Sequence, residues 1–481
     1  MIILYYPQNT SPHLARLPMS LLALGAVLEG TSEYVIVDGN VDRAARSTIG
    51  RLCRSAGPIE VLAVSVMPGT QMLNAVADCK ALHAEFPGLT ILWGGYFPSM
   101  HTEAALTSEF VNYVLCGQAE RSLPEFLELL RGERDIGEVH NLAYRLGGVI
   151  RRNTEYPIYD PNQRPLFPYG RLNLERYALR TFVGKRTLCH ETSVGCPHKC
   201  NFCGVVNVFK SRWKAETPER TIEVLRQLIK CAGMDGIEFH DSDFFVSQSR
   251  VAELSDRMTE LRLQWWGEGR IDTLLSYDAS TWKTMHRSGL RMIFFGAESG
   301  SDEMLQLMDK GGVTVEKTKE IAARCGEYGI TPEFSFVMGA HPTKTREEID
   351  DTISLMYELR RINPGAKMHP FIYTPAPFGP IYEQAASGGL RYPTTLEAWA
   401  SSEWAEFSLR QNPHTPWLTP GMIRKIVNFR VVYQSYVPKL NDRQVSPWKV
   451  TILRMFSAWR YKFRIFAGAV ELRLLLHLLL K

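Results

Sequence analysis

Hydrophobic residues in the first 150 positions form short β-branched runs, and amphipathic segments separate these runs. The runs predict strands at Ile2–Tyr6, Tyr34–Asp38, Val61–Val66, Thr90–Trp93 and Tyr113–Leu115. Apolar residues at helical spacing predict helices around Met19–Glu29, Gln71–His83 and Ser122–Leu130. Strands that alternate with helices are typical of a parallel sheet with crossover connections, so we expect a Rossmann-like α/β domain.

Small or turn-forming residues follow the predicted strands of this domain. Pro68, Gly69 and Thr70 come after the third strand, and Gly94 and Gly95 come after the fourth. Because an open α/β sheet binds its ligand at the carboxyl ends of its strands, these loops predict a ligand site.

A second series of strands and helices begins near Thr187 and continues to about Pro375. Its predicted strands are Leu188–Ser193, Gly236–His240, Gln264–Trp266, Met292–Gly296, Glu333–Met338 and Lys367–Tyr373. Its predicted helices are centred near Thr221–Lys230, Val251–Leu261, Ala279–Arg287, Val315–Tyr328 and Arg346–Leu359. Six such units without a dinucleotide-binding fingerprint predict an incomplete β/α barrel, whose chemistry collects at the carboxyl ends of its strands.

The segment between the two series predicts a hairpin from Leu142 to Asn153, followed by a proline-rich stretch. We therefore divide the chain into a Rossmann-like domain at residues 1–150, a linker at 151–186, a partial barrel at 187–375 and a helical, basic C-terminal domain at 376–481. The expected fold class is α/β with a helical C-terminal extension.

The composition is that of a soluble globular protein of two or three domains. Hydrophobic residues make up 45% of the 481 positions and charged residues 22%, and no uncharged apolar run is as long as a membrane span. Most of the nine cysteines are scattered singly through apolar segments, which is typical of packing residues and not of a disulfide framework. These are Cys53, Cys79, Cys116, Cys189, Cys231 and Cys325. This usage predicts a reducing, cytoplasmic location.

Charge is distributed unevenly along the chain, whose net charge is +4. Between Gly421 and Lys481 there are twelve Lys or Arg residues but only two acidic residues, Asp442 and Glu471. The same tail carries an apolar stripe at helical spacing: Trp448, Ile452, Phe456, Trp459, Phe463 and Phe466. Two interpretations stay open: the stripe packs on the barrel, or the basic amphipathic helices make a peripheral contact with the inner face of a membrane. We expect no nucleic-acid partner, since the tail is rich in Trp, Phe and Leu as well as in basic residues.

The sequence Cys-Pro-His-Lys-Cys-Asn-Phe-Cys places three thiols within eight residues, at Cys196, Cys200 and Cys203. Three cysteines on one loop suit one face of a 4Fe-4S cluster and leave one iron without a protein ligand. An open coordination position distinguishes a reactive metal site from a structural one. The alternative is a zinc site with His190 or His198 as a fourth ligand, although zinc ligand pairs are usually spaced differently and a second pair is missing.

The cysteine motif resembles the signature of the radical S-adenosylmethionine (SAM) superfamily, Cys-x-x-x-Cys-x-aromatic-Cys, and it follows the first predicted barrel strand. The stretches FHDSDFF, EGRIDTL, FFGAESGSDEML with MDKG, and FVMGAHP resemble further motifs of that family. The resemblance implies a 4Fe-4S cluster on the three cysteines and SAM bound at the open iron. The strand-end candidates for binding SAM are Asp241, Asp243, Arg270 and Glu298.

Arg270 and Glu298 are candidates because of the groups they can bind, and the two aspartates also have an alternative role. Arg270 is our candidate for the SAM carboxylate, because a guanidinium matches a carboxylate bidentately, and Glu298 is our candidate for the ribose hydroxyls. Asp241 or Asp243 could instead cap the helix that begins near Gln248. For His341 and His369, near the ends of later strands, a substrate-facing role and a structural role both stay open.

The first domain resembles the cobalamin-binding domains that precede radical SAM enzymes, through LPMSLLALGAVLE, SVMPGTQ, WGGYFPSM and NYVLCGQAE. The resemblance implies cobalamin bound by loops that include Pro68, Gly69, Thr70, Gly94 and Gly95. Many cobalamin proteins supply a cobalt ligand from an Asp-x-His-x-x-Gly motif, which this chain lacks, and His13 lies in the first loop without those neighbours. We therefore expect cobalamin without a histidine ligand from this loop. The alternative is a Rossmann-like domain that has lost its ligand.

These resemblances imply a cobalamin-dependent radical SAM enzyme that removes hydrogen from an unactivated carbon through a 5′-deoxyadenosyl radical and transfers a methyl group to it. The domain order also resembles that of the anaerobic magnesium-protoporphyrin monomethyl ester cyclase, which keeps oxidation or ring formation open. A non-catalytic cobalamin or iron–sulfur sensor is the alternative from another class. The expected partners are a small-molecule substrate, apolar or lipid-like in one hypothesis, and a reductant such as flavodoxin or ferredoxin.

Overall fold

A computed structural model describes residues 1–55, 57–408, 414–438 and 446–480. Four charged residues of the basic tail lie outside the described residues: Lys439, Asp442, Arg443 and Lys481.

The strands are β1 (Ile2–Tyr6), β2 (Tyr34–Asp38), β3 (Val61–Ser65), β4 (Ile91–Gly94), β5 (Tyr113–Leu115), β6 (Leu142–Leu146), β7 (Val149–Arg152), β8 (Thr187–His190), β9 (Ser193–Gly195), β10 (Trp213–Ala215), β11 (Gly236–Phe239), β12 (Gln264–Gly269), β13 (Leu290–Glu298), β14 (Thr331–Met338) and β15 (Lys367–Ile372).

The helices are α1 (Met19–Leu28), α2 (Ala45–Ser55), α3 (Thr70–Glu85), α4 (Tyr96–Met100), α5 (Thr102–Leu106), α6 (Ser122–Leu130), α7 (Gly204–Phe209), α8 (Pro218–Ala232), α9 (Gln248–Met258), α10 (Ile271–Leu275), α11 (Ala279–Arg287), α12 (Asp302–Leu307), α13 (Val315–Glu327), α14 (Thr345–Ile362), α15 (Pro380–Ser387), α16 (Leu396–Trp399), α17 (Ser402–Ser408), α18 (Pro420–Tyr436), α19 (Pro447–Lys462) and α20 (Val470–Leu480).

The first seven strands form one sheet in the order β2-β1-β3-β4-β5-β6-β7. The first five are parallel, and the β6–β7 hairpin continues the sheet in antiparallel fashion. All residues of β3 are buried, which fits its position inside the sheet with helices on both faces. The predicted α/β character of this region is confirmed, and α2, α4 and α5 are additional helices that the sequence pattern did not predict.

The second sheet is fully parallel, in the order β15-β14-β13-β12-β11-β8. Residues of β11 and β15 border one and the same cavity, so the sheet curves around a lumen. Because β8 and β15 are the two edges of this sheet, the barrel is incomplete, as the sequence predicts.

The strand predicted at Leu188–Ser193 is divided in two. β8 ends at His190, and β9 turns away to pair with β10, antiparallel, with Gly195 opposite Trp213. Gly195 has φ +77°, and a Cβ there would lie 2.1 Å from the carbonyl oxygen of Arg212, so only glycine fits. The β9–β10 pair thereby joins the two ends of the segment that contains the three cysteines.

Side-chain contacts join the first domain to the barrel. Arg16, in the loop after β1, donates from Nε to Glu238 of β11 at 2.8 Å. Tyr177 of the linker donates its hydroxyl to Asp38 at the end of β2, at 2.9 Å. The carboxyl edge of the first sheet therefore faces the barrel.

The C-terminal helices divide into a packed helix and an exposed one. α18 contributes Ile426, Phe429 and Tyr433 to the barrel core, and the Tyr433 hydroxyl accepts from the Met368 backbone N–H at 3.0 Å. In α19 Leu453 is the one apolar side chain that is fully buried. Trp448 near the start of this helix is 56% exposed, and Phe463, the residue directly after it, is 67% exposed. Among the described residues, each helix is too short or too polar to cross a membrane.

Candidate functional site

The three cysteines lie on the loop between β9 and α7, at the carboxyl-terminal end of the barrel. Cys200 is buried, and Cys196 and Cys203 are half-buried. The pKa of Cys196 is raised to about 12, chiefly by burial, with smaller contributions from the nearby Asp243, Cys203 and Cys200. A bound cation is what converts such a thiol to a thiolate, so a metal cluster fits this site chemically.

Arg270 connects the cysteine loop to the barrel. Its Nη1 lies 3.4 Å from Cys200 Sγ, while Nε donates to Asp272 at 3.0 Å. Its Nη2 donates to Asp272 and to the backbone carbonyls of Lys310 and Gly311. Most of its donors are therefore engaged within the protein, and the structure places the guanidinium against the thiols. Its predicted role towards the SAM carboxylate stays a prediction.

Glu298 is held by a buried lysine that the sequence analysis did not single out. Lys310 Nζ donates to Glu298 Oε1 at 2.7 Å, and both side chains are 8% exposed. Burial alone would lower the pKa of Lys310, but Glu298 and Cys200 raise it above its ordinary value. A charged lysine therefore lies between the candidate ribose-binding carboxylate and the cysteine loop. The only sequence signal for it was its place in the stretch MDKG.

The backbone at Glu298 explains how this pair forms. Glu298 has φ +63°, and the register of β13 with β14 shifts between Gly296 and Glu298. Such a bulge re-aims a side chain, and a positive φ in a residue other than glycine is a strained conformation. A Cβ on Gly296 would lie 2.2 Å from Glu298 Oε1 and 2.6 Å from Lys310 Nζ, so the pair lies directly over this glycine.

The two aspartates after β11 have different environments. Asp241 accepts from the Thr192 N–H at 3.1 Å, from Thr192 Oγ1 at 2.7 Å and from Ser193 Oγ at 2.5 Å, so it ties the start of β9 to β11. Asp243 is buried, and neither of its carboxylate oxygens accepts a hydrogen bond from the described part of the chain. Oδ2 lies 3.3 Å from His198 Nε2 without forming a hydrogen bond, and Oδ1 has no such neighbour. A buried acceptor beside the thiols fits a ligand that carries N–H donors, as the amino group of SAM does. Of the two, Asp243 is the better candidate.

The capping alternative for these aspartates is wrong. Ser247 is the N-cap of α9, and its side chain accepts from the Arg250 N–H. Asp241 and Asp243 are both free of that role.

The zinc alternative loses one of its two histidines. His190 is fully buried, with Nε2 3.0 Å from Glu216 Oε2 and Nδ1 3.4 Å from the Tyr169 hydroxyl, so both ring nitrogens are engaged. His198 is closer to the site: its Nε2 lies 3.3 Å from Asp243 Oδ2, and ligand atoms of Cys196, His198 and Asp243 lie within 4.8 Å of one another. That set uses one of the three thiols, whereas a 4Fe-4S cluster uses all three.

Of the two later histidines, one has a structural role and the other lies where a substrate could reach it. His341 Nδ1 accepts from the Lys344 N–H at 3.0 Å at the start of α14, which is a structural role. His369 lines the lumen of the barrel.

A cavity of about 200 Å³ lies at the carboxyl edge of the first sheet, against the barrel. Ser65, Gly94 and Gly95 line it from the first domain, and Val194 of β9 and Phe209 of α7 line it from the cysteine region. The elements on both sides of the cysteine loop are thus walls of this cavity.

The predicted cobalamin-binding residues fall into two groups. Gly94 and Gly95 line the cavity, whereas Pro68, Gly69 and Thr70 lie at the start of α3 and are not among its lining residues. His13 is exposed and does not line it either. A Cβ atom at Gly94 would meet only the Leu115 carbonyl oxygen, at an ordinary contact distance of 3.7 Å, so the backbone does not require glycine there. The absence of a side chain leaves space in the cavity.

Replacing Gly94 with leucine is expected to lower cobalamin retention at least tenfold, because the added side chain fills space in the cavity. Retention is measured by absorbance after gel filtration of the reconstituted protein. Gly88→Ala is the control, since its Cβ would meet no atom within 4 Å. Unchanged retention in Gly94→Leu would place cobalamin elsewhere.

The comparisons with known proteins agree with this site. Residues 190–356 match the family model of the radical SAM superfamily, so the chain contains a radical SAM domain, as the motif predicts. An uncharacterized methyltransferase of Pyrococcus horikoshii is 25% identical over 71% of this chain and 73% of its own length. The anaerobic magnesium-protoporphyrin IX monomethyl ester cyclase of Synechocystis is 22% identical over 71% of this chain and 68% of its own.

The fold is also shared with a solved structure. The radical SAM methyltransferase TsrM from Kitasatospora setae, with cobalamin and a 4Fe-4S cluster bound, superposes with a TM-score of 0.66 at 19% identity. The alignment covers 82% of this chain and 79% of that one. The chain therefore shares the fold of this methyltransferase over the aligned part.

Proposed function

We propose that this protein is a cobalamin-dependent radical SAM enzyme that removes hydrogen from an unactivated carbon of a small molecule and attaches a methyl group to that carbon. The observation that carries the proposal is the shared wall between the two sites. Val194 and Phe209 flank the cysteine loop and also line the cavity that contains Gly94 and Gly95. A cobalt cofactor bound in that cavity would lie next to a cluster on Cys196, Cys200 and Cys203.

The residues of this chain would bind and orient the cofactors. The three thiols would hold the cluster, and Asp243, whose Oδ2 is 3.3 Å from His198 Nε2, would offer Oδ1 to the amino group of SAM. The Lys310–Glu298 pair fixes the carboxylate assigned to the ribose. When bound, the cluster supplies an electron to SAM and the cobalamin carries the methyl group. Burial of Asp243, Arg270 and Glu298 keeps water from the site.

Methyl-labelled SAM tests the reaction. Reduced, fully loaded protein incubated with labelled SAM and its substrate is expected to form 5′-deoxyadenosine and to place the label in the product. An oxidised or cyclised product without label would favour the cyclase type of reaction, to which one relative belongs by name. No 5′-deoxyadenosine from fully loaded protein would favour a sensor.

We further propose that the exposed face of α19 contacts an anionic membrane surface, from which an apolar or lipid-like substrate would be within reach. The exposed aromatic residues are Trp448, Phe456 and Trp459 of α19 and Phe463 directly after it. The basic residues of the same segment are Lys449, Arg454, Lys462 and Arg464. An apolar stripe flanked by cations is complementary to anionic headgroups above an acyl layer.

Flavodoxin or ferredoxin is the proposed source of electrons.

Replacing Trp459 and Phe463 together with alanine is expected to lower vesicle binding at least tenfold, because each aromatic side chain loses apolar burial. The measurement is co-sedimentation with vesicles that contain phosphatidylglycerol. Leu146→Ala, at a 59% exposed position of the β6–β7 hairpin, is the matched control. Equal binding of all variants, or equal binding to neutral phosphatidylcholine vesicles, would contradict the contact.

A further inference from the structure

A second cavity, of about 410 Å³, lies in the lumen of the partial barrel. Its lining includes Glu238, Trp266, Glu268, Phe294, Glu333 and His369. Glu268 lies near the end of β12, two residues before Arg270, whose backbone is still extended, so the two are about 7 Å apart along the chain. Arg270 contacts Cys200. The cavity therefore begins one side-chain layer below the cysteine loop, where a substrate would meet the reactive site.

The carboxylates of this cavity are not equivalent. Glu238 accepts from Arg16 at 2.8 Å and lies 3.2 Å from His240 Nε2, and Glu333 is paired with His369 Nε2. No hydrogen bond or ion pair to the Glu268 carboxylate is found within the described residues. The fold thus supplies a basic partner for two carboxylates and leaves the third, nearest the cysteine loop, without one.

The basic side chains that line the cavity, Arg16, His240 and His369, are paired with Glu238 or Glu333 and not with Glu268. The pKa of Glu268 is raised to about 7, chiefly by burial; His240 lowers it, and the negative charges of Asp241, Glu333 and Asp243 raise it. A wholly apolar ligand would leave this carboxylate desolvated and unpaired, which is costly. A cation would compensate it.

The remaining walls suit an organic cation. Trp266, Phe294 and Phe371 line the cavity with aromatic surface, and such rings attract an ammonium group over their faces. The Trp266 indole N–H is buried and has no partner in the described part of the chain, so a ligand oxygen could accept from it.

We propose that the lumen binds a substrate that carries a protonated amine on an apolar body, with the amine at Glu268 and the body against the aromatic walls. This assignment names the substrate class and rests on the proposed function. It also refines the lipid-like hypothesis, because the part of the molecule that enters the barrel is cationic.

The test is to measure, by calorimetry, how tightly full-length, cluster-loaded protein binds three probes of similar shape but different charge. The probes are 2-phenylethylammonium, neutral 2-phenylethanol and anionic phenylacetate. The ammonium probe is expected to bind at least tenfold more tightly than the alcohol, and phenylacetate more weakly than both. Equal or tighter binding of the alcohol or of phenylacetate would overturn the proposal, as would no binding of the ammonium probe at about 10 mM.

Substitutions in the cavity test whether the amine of the probe binds at Glu268. Glu268→Gln should weaken the ammonium probe at least tenfold and leave the alcohol unchanged, and Glu260→Gln, at an exposed glutamate after α9, should change neither. Trp266→Leu keeps the charges and should weaken the ammonium probe about threefold to thirtyfold. The cluster absorbance shows that each variant is folded. Equal ammonium affinity in Glu268→Gln and the wild type would refute the assignment.

The substrate class and the proposed reaction have separate tests. If the loaded protein forms 5′-deoxyadenosine but prefers the alcohol or phenylacetate, the substrate class is wrong and the proposed function stands. If the ammonium probe binds through Glu268 but no 5′-deoxyadenosine forms, the cavity is assigned correctly and the proposed reaction is wrong.

Discussion

Alanine in place of Cys196, Cys200 or Cys203 is expected to abolish 5′-deoxyadenosine formation, because a cluster that loses one of its three protein ligands is no longer held with one open iron. Cobalamin retention should be largely unchanged, since none of the three thiols lines the cavity that contains Gly94. The measurements are chromatographic detection of 5′-deoxyadenosine under reducing conditions and cobalamin absorbance after gel filtration.

Cys231→Ala is the matched control for these variants. Cys231 is a free, exposed cysteine on α8, remote in sequence from the loop. It should retain full 5′-deoxyadenosine formation. A cysteine-loop variant that loses cobalamin together with its activity would show that the two sites are not separable, and activity in any of the three variants would contradict the assigned ligands.

Lys310→Met is expected to lower the free energy of unfolding by about 3–5 kcal/mol, because it leaves the buried Glu298 carboxylate without its partner. SAM-dependent activity should be lost as well, since Glu298 would no longer be fixed beside the cysteine loop. Thermal unfolding followed by circular dichroism, together with the 5′-deoxyadenosine assay, measures both effects.

A second substitution separates the charge from the packing. In Lys310→Met with Glu298→Gln, no buried charge remains unpaired, so most of the lost stability should return while activity should not. Lys319→Met, which breaks a partly exposed pair with Glu358 at 2.8 Å, is the control and should cost about 1 kcal/mol or less. A double variant as unstable as Lys310→Met would mean that the pair is not what stabilises this region.

The elements of the fold could be predicted because their signals are local. β1, β2 and β5 begin and end at the predicted residues, as do α6 and α11. Buried strands with turn residues at their ends, and helices with one apolar face, carry their periodicity within a few residues. The same holds for the cysteine motif, whose ligand spacing is contained in one loop.

The parts that could not be predicted depend on contacts between distant segments. The sequence around Ser193 gives no sign that β9 leaves the barrel to pair with β10, because that pairing joins residues about twenty positions apart. The positive φ of Glu298 and its contact with Lys310 follow from a bulge and from the close packing at Gly296. Asp241 and Asp243 look alike in sequence, and only the donors of Thr192 and Ser193 distinguish them.

In the C-terminal tail, too, the local pattern could be predicted and the contacts with distant segments could not. Its apolar stripe was visible in the sequence, but whether it packs on the barrel depended on the orientation of α19. α18 occupies the barrel surface through Phe429 and Tyr433, and this leaves Trp459 and Phe463 exposed. Of the predicted stripe, Phe466 packs against Phe429, with ring centroids 5.2 Å apart.

The most direct test of the central claim, a cluster and a cobalamin at adjoining sites in one chain, is the ultraviolet–visible spectrum of anaerobically reconstituted protein after free cofactors are removed. With cobalamin present during reconstitution, we expect the absorbance of one 4Fe-4S cluster and one retained cobalamin per chain. Without added cobalamin, the cluster absorbance should remain alone. A spectrum with the cluster but no retained cobalamin, after reconstitution with excess cobalamin, would contradict the account.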